Sequence, residues 1–303
     1  MNDTIHEKLQ RIELLLNEGD YKTALKLVEA ISSRELQTMN NKFTCLLLES
    51  RLRIKIGELE KARVGVEELL SLDRKEVNLL RVLDAFILKA EISWRLGNLD
   101  EGVQSVQEGE KLLVELGNEE EILVRKKDLL SQAGIIYWYM GNLDQAAVFH
   151  EQSLLISEKE NDKQGIADSL NNLGLIQQSK GKFNLALEYY KRSLPIYEDL
   201  GDKDHISKIL NNIGITYSLM GDQELTLKNL QKSHQIKVDL NNKLDIALPT
   251  FIAMKVLLSL QFFSIILLYY ILEPLYSQLQ TLQEFPIFLM IQNNLFSERV
   301  LQP

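Results

Sequence analysis

At 303 residues, with 45% hydrophobic and 25% charged residues, the chain has the make-up of a folded soluble protein and excludes wholesale disorder. A net charge of −9, with no block of lysine or arginine, argues against nucleic acid as the main partner. A lone Cys45 excludes a disulfide framework and fits a reducing, cytoplasmic compartment.

The opening segment MNDTIHEKLQRIE is polar and mixed in charge, so no signal-peptide pattern is expected there. From this point glycines recur almost evenly, at Gly19, Gly57, Gly97, Gly141, Gly181 and Gly221, with gaps of 38, 40, 44, 40 and 40 residues. Such a period predicts an array of like units, one supersecondary element each. Five prolines, none before Pro195, and apolar residues at helical spacing (Leu170, Leu173, Ile176; Leu210, Ile213, Tyr217) make those elements helices. Each gap glycine stops one helix, and an anchor two residues on starts the next: Tyr21, Leu59, Leu99, Leu143, Phe183. Small residues recur five places after the glycine (Ala24, Ala62, Ala146, Ala186) and seven before it (Ser50, Ala90, Gly134, Gly174, Gly214). Those positions let two antiparallel helices cross closely.

In Leu170, Leu173, Gly174, Gly181, Phe183, Ala186, Tyr190 and Ser193 this pattern resembles the tetratricopeptide repeat almost whole. The period of about forty and the openings LNNLG and LNNIG are similar to the longer-helix class of kinesin light chains and bacterial peptide-sensing regulators. The resemblance covers about residues 5–242 and is weakest in the first two units, where Ile12 stands at the small-residue place. It implies an all-α, right-handed superhelix of stacked antiparallel hairpins, six of them in residues 1–242, whose first helices line a concave groove.

Residues 243–303 are read as a degenerate, apolar seventh repeat with a C-terminal capping helix. Within them Val256 to Leu272 run seventeen residues without a charge, the short edge of a membrane span. The register favours the repeat: Tyr189 and Tyr190 recur eighty residues on as Tyr269 and Tyr270. A membrane segment at 256–272 stays open as the alternative, as does self-association through this apolar end.

No catalytic constellation is legible, and no cofactor or metal is expected. The histidines His6, His150, His205 and His234 are scattered and read as surface residues, and Gly181-Lys182 is followed by Phe183 rather than the Ser or Thr of a phosphate loop. Binding has better candidates. Positions thirteen, ten, six and three before each gap glycine form one helical stripe. The family resemblance places that stripe in the groove. It holds Asp128 and Trp138, then Asp168 and Asn171, then Lys208 and Asn211, with Gln132, Asn172 and Asn212 adjacent. Amides can both donate to and accept from an extended peptide backbone, and a tryptophan can anchor an apolar side chain. Only Lys208 matches the family's carboxylate clamp, while Asp128 and Asp168 would repel a carboxylate and point to a basic or neutral partner. The expected function is a non-catalytic scaffold holding a protein or peptide ligand. The alternatives are a membrane-tethered adaptor and a regulatory or sensor module.

Overall fold

The computed structural model describes residues 4–240 apart from 32–35, 37, 73–76 and 118–119; the seventh repeat, the capping helix and the 256–272 segment lie outside the described residues. Within them the chain is all-helical: α1 (Ile5–Glu18), α2 (Tyr21–Glu29), α3 (Met39–Lys55), α4 (Leu59–Ser71), α5 (Leu79–Leu96), α6 (Leu99–Leu116), α7 (Glu120–Tyr139), α8 (Leu143–Lys159), α9 (Lys163–Ser179), α10 (Phe183–Leu200), α11 (Lys203–Met220) and α12 (Gln223–Asp239). The odd-numbered helix of each pair is followed by its gap glycine. All six gap glycines sit in the left-handed region, at φ between +72° and +84°. There a glycine ends the helix without the clash a Cβ would bring. The next residue commonly caps the new helix: Asp20, Asn142 and Asp222 each accept a backbone N–H three residues on, from Thr23, Gln145 and Leu225.

The helices fall into two compact units, Met1–Gly165 and Ile166–Pro303. In the first, α1, α3, α5 and α7 pack successively side by side, and α2, α4 and α6 each also pack on the next first helix. Its core has two parts. One gathers Leu9, Ile12, Val28, Leu48 and Leu52 around α1–α3. The larger runs from Phe43 through Leu83, Ile92 and Val106 to Leu129 and Ile136. The second unit centres on Ala186, Tyr190, Tyr197, Ile209 and Ile213.

The small residue seven before the glycine is a socket. A Cβ on Gly134 would lie 2.5 Å from the His150 ring, one on Gly174 2.4 Å from the Tyr190 ring, and one on Gly214 2.8 Å from Leu230. Each socket thus receives the side chain sixteen residues later, on the second helix of the same pair. His150 is therefore core, only 1% exposed, which corrects its reading as a surface residue. Unable to shed its desolvation cost, its imidazole is held neutral, with the pKa lowered to about 4.

A serine ladder tightens the later pairs. Ser153, Ser193 and Ser233, at a forty-residue spacing, donate to the carbonyls of Lys127, Ala167 and Ser207 at 3.3, 2.7 and 2.7 Å. Ser193 is fully buried, so Ser193→Ala leaves the Ala167 carbonyl without this donor and should cost about 1–2 kcal/mol in urea unfolding. Ser153→Ala, losing the longer bond, should cost less.

Candidate partner-binding face

Along the first helices of the first unit, the stripe residues are tied together across repeats. The Trp94 indole N–H donates to Gln132 Oε1 at 2.8 Å, which joins α5 to α7. Tyr139 stacks on the Trp94 ring with centroids 5.6 Å apart, and Trp138 meets Tyr139 edge-on at 4.9 Å. The Arg95 guanidinium lies 5.0 Å over the Trp94 ring. Trp94, Trp138 and Tyr139 are all only partly buried and form an aromatic row along α5 and α7, with Trp94 also packed against the core. Tyr137, by contrast, turns toward α8 and stacks on Phe149 at 5.3 Å.

The aspartates thirteen before the gap glycine are answered inside the protein. Arg125 on α7 reaches back to Asp84 on α5, Nε to Oδ1 at 3.0 Å and Nη2 to Oδ2 at 3.4 Å. Asp128 is met by Lys127 at 3.2 Å, and the same ammonium bonds Asp162 at 2.6 Å. Burial alone would lower the Lys127 pKa, but these two carboxylates outweigh it and hold the group charged. The expectation that the acidic stripe selects a basic partner is weakened accordingly, since much of that charge is already neutralised. Two cavities open on this face. One, of about 210 Å³, is walled by polar residues including Arg51, Arg81, Asp84 and Arg125. The other, about 390 Å³, lies among Tyr21, Arg51, Ile54, Leu88 and Glu91.

In the second unit Asp168 accepts from the Tyr197 hydroxyl. His205 stacks on the Tyr197 ring at 4.7 Å, pairs through Nδ1 with Asp202 at 2.7 Å, and places Nε2 4.0 Å from Asp168. The amide ladder is joined: Asn212 Nδ2 donates to Asn171 Oδ1 at 3.0 Å, which links α11 to α9. Gln178 Oε1 accepts from the Tyr190 hydroxyl at 2.9 Å and lies 3.0 Å from Thr216 Oγ1. Asn172 is partly buried. Asn211 turns its Oδ1 inward, buried and without a hydrogen-bond partner among the described residues. Lys208, at the clamp-like place, pairs with Asp204 at 2.5 Å, which leaves its charge partly spent.

Sequence reasoning missed the bonds between successive first helices. The signal lies in a second offset. The residue sixteen before a gap glycine faces the residue thirteen before the preceding one, as Arg125 does Asp84 and His205 does Asp168. Among the described residues no group of three or more His, Cys, Asp or Glu side chains is arranged to hold a metal. No described helix is long and apolar enough to cross a membrane.

Helix pairs of constant register, bonded from first helix to first helix, define a helical-hairpin repeat protein. Residues 128–199 and 166–237 match the family model for the tetratricopeptide repeat, so that repeat is present in this part of the chain. No curated protein sequence matches it. Its fold is similar to that of a Rap protein complexed with competence and sporulation factor, with a TM-score of 0.65 and 14% identity over 83% of this chain and 70% of that one. RapI in its apo form gives 0.62 and 17% over 88% and 75%. BtubC (BKLC) from P. vanneervenii gives 0.52 and 19% over 80% and 94%. At these identities the likeness is one of fold.

Proposed function

We propose that the chain is a non-catalytic, cytoplasmic protein-interaction scaffold that takes a peptide or helical segment of a partner against the face of its first helices. The observation that carries this reading is the row Trp94–Tyr139–Trp138, partly exposed and fixed in place by Gln132. Rigid amphipathic rings held at a surface bury much area on contact at little entropic cost, which makes them the usual anchors of binding. The Asn171–Asn212 pair supports it. Once Asn212 has donated to Asn171, the Asn171 amide N–H₂ and the Asn212 carbonyl remain, one donor and one acceptor for a peptide main chain. A neighbour of the same fold was solved with competence and sporulation factor bound, which accords with a ligand-holding role.

A variant carrying Trp138→Ala, Tyr139→Ala and Asn171→Ala should retain its helical content and lose at least thirtyfold in affinity for a partner captured by the wild type, the scale of an anchor worth about 2 kcal/mol. Equal capture by both proteins would sink the proposal. A collapse of thermal stability would place the aromatic row in the core.

A further inference from the structure

The offset between repeats leaves one arginine unanswered. Arg125 finds Asp84 and His205 finds Asp168, but for Arg81, at the same place on α5, the position in the preceding repeat holds Thr44, which like Arg81 lines the 210 Å³ cavity. Thr44 is buried and donates its hydroxyl to the Asn40 carbonyl at 2.7 Å. Arg81 makes no ion pair among the described residues, although it is partly buried and lines the 210 Å³ cavity. Arg51, on the same wall, reaches a carboxylate only at 3.8 Å, where Asp84 is already held by Arg125. The wall also includes the start of α5, whose Asn78 cap accepts from the Leu80 amide. The positive end of that helix dipole adds to the two guanidinium groups. The acids on the wall are Asp84, Glu121, which pairs with Arg125 at 3.4 Å, and Glu13, exposed on α1.

We propose that the cavity walled by Arg51, Arg81 and Arg125 seats a carboxylate of the partner segment, the acid that the repeat register calls for and Thr44 does not supply. The planar guanidinium of Arg81 grips such a group through two parallel hydrogen bonds, a geometry that a neutral amide cannot reproduce. This rests on the reading of the first-helix face as the docking face. It differs from the clamp place at Lys208 in both position and residues.

The test is a titration of the full chain followed through the arginine Nε–Hε resonances, at constant ionic strength, with N-acetyl-aspartate amide. N-acetyl-asparagine amide serves as the neutral control and inorganic phosphate as the competing anion. The aspartate probe should shift the Arg81 and Arg51 signals saturably, while the asparagine probe should not. Arg81→Gln should weaken the response at least tenfold. Thr44→Asp should abolish it by supplying the acid internally, and Glu13→Gln, removing a competing carboxylate, should strengthen it. A response that survives Arg81→Gln, or no saturable response from the wild type, overturns the seat. Tighter binding of phosphate than of the aspartate probe overturns the peptide carboxylate in favour of free phosphate. The triple aromatic and amide variant should leave this titration unchanged, so failure of the seat and failure of the docking face are read separately.

Discussion

Gly174→Ala should destabilise the protein by about 1–2 kcal/mol in urea unfolding, although alanine is the better helix former by about 1 kcal/mol. The reason is the socket. The new methyl would stand 2.4 Å from Tyr190 Cε1 and 2.7 Å from Cδ1. The ring cannot retreat, because it is fully buried and its hydroxyl is bonded to Gln178 at 2.9 Å. Tyr190→Val alone should cost about 3 kcal/mol, chiefly by leaving a cavity, since Gln178 Oε1 keeps the Thr216 hydroxyl as a donor. In that background the sign of the glycine substitution reverses. Gly174→Ala with Tyr190→Val recreates the pairing of Ala90 with Val106, both buried, that the chain uses between α5 and α6. Alanine should then stabilise by about 1 kcal/mol, a coupling of about 2–3 kcal/mol for two residues in contact. If alanine at 174 stabilises in both backgrounds, the glycine is not a socket for the ring.

The second large effect is a loss of stability in mild acid. The His150 imidazole, buried against Gly134 with Nδ1 unpartnered, has its pKa lowered by desolvation to about 4 from an ordinary 6.5. The unfolded chain therefore binds a proton that the folded one refuses. Stability is full above about pH 6.5 and falls as the pH drops toward 4, by about 3 kcal/mol in all. A second acid-sensitive group titrates lower. Burial raises the Asp204 pKa, but the Lys208 and Lys237 ammonium groups outweigh it and hold the carboxyl at about 2. Its contribution is present above about 3.8 and is lost as the pH falls through 2. His150→Leu should remove the upper step and leave the lower one. The substitution copies the Gly214–Leu230 socket and should change stability at pH 7.5 by less than about 1.5 kcal/mol. Urea midpoints across pH 4 to 7.5 that are parallel in the two proteins would contradict the buried, neutral histidine.

The helix boundaries were the most legible part of the fold, because a glycine in the left-handed region is a local necessity and leaves its mark on the sequence. The anchors Tyr21, Leu59, Leu99, Leu143 and Phe183 are the first residues of α2, α4, α6, α8 and α10. His150 was legible too, had its column been compared. The residue nine after each gap glycine is Val28, Val66, Val106, His150, Tyr190 or Leu230, an apolar series in which a histidine must be core. The face was less legible. Periodicity placed Asp128, Gln132, Trp138, Asp168, Asn171, Asn172, Lys208, Asn211 and Asn212 on one side of their helices. It carries no information on how far one first helix is shifted along the next, and that shift decides that Asn171 meets Asn212 and Trp94 meets Gln132. The same shift brings a charge on one first helix to its partner on the next, as with Asp84 and Arg125.

The central claim is that the first-helix face does the holding, and site-directed photocrosslinking in cells tests it most directly. A benzophenone amino acid placed at Trp138 or Asn171 should yield a discrete adduct with a partner chain. The same probe at Val114 or Leu155, 85% and 68% exposed on the second helices α6 and α8, should yield none. Adducts of equal yield from the second helices, with none from Trp138 or Asn171, would contradict the account.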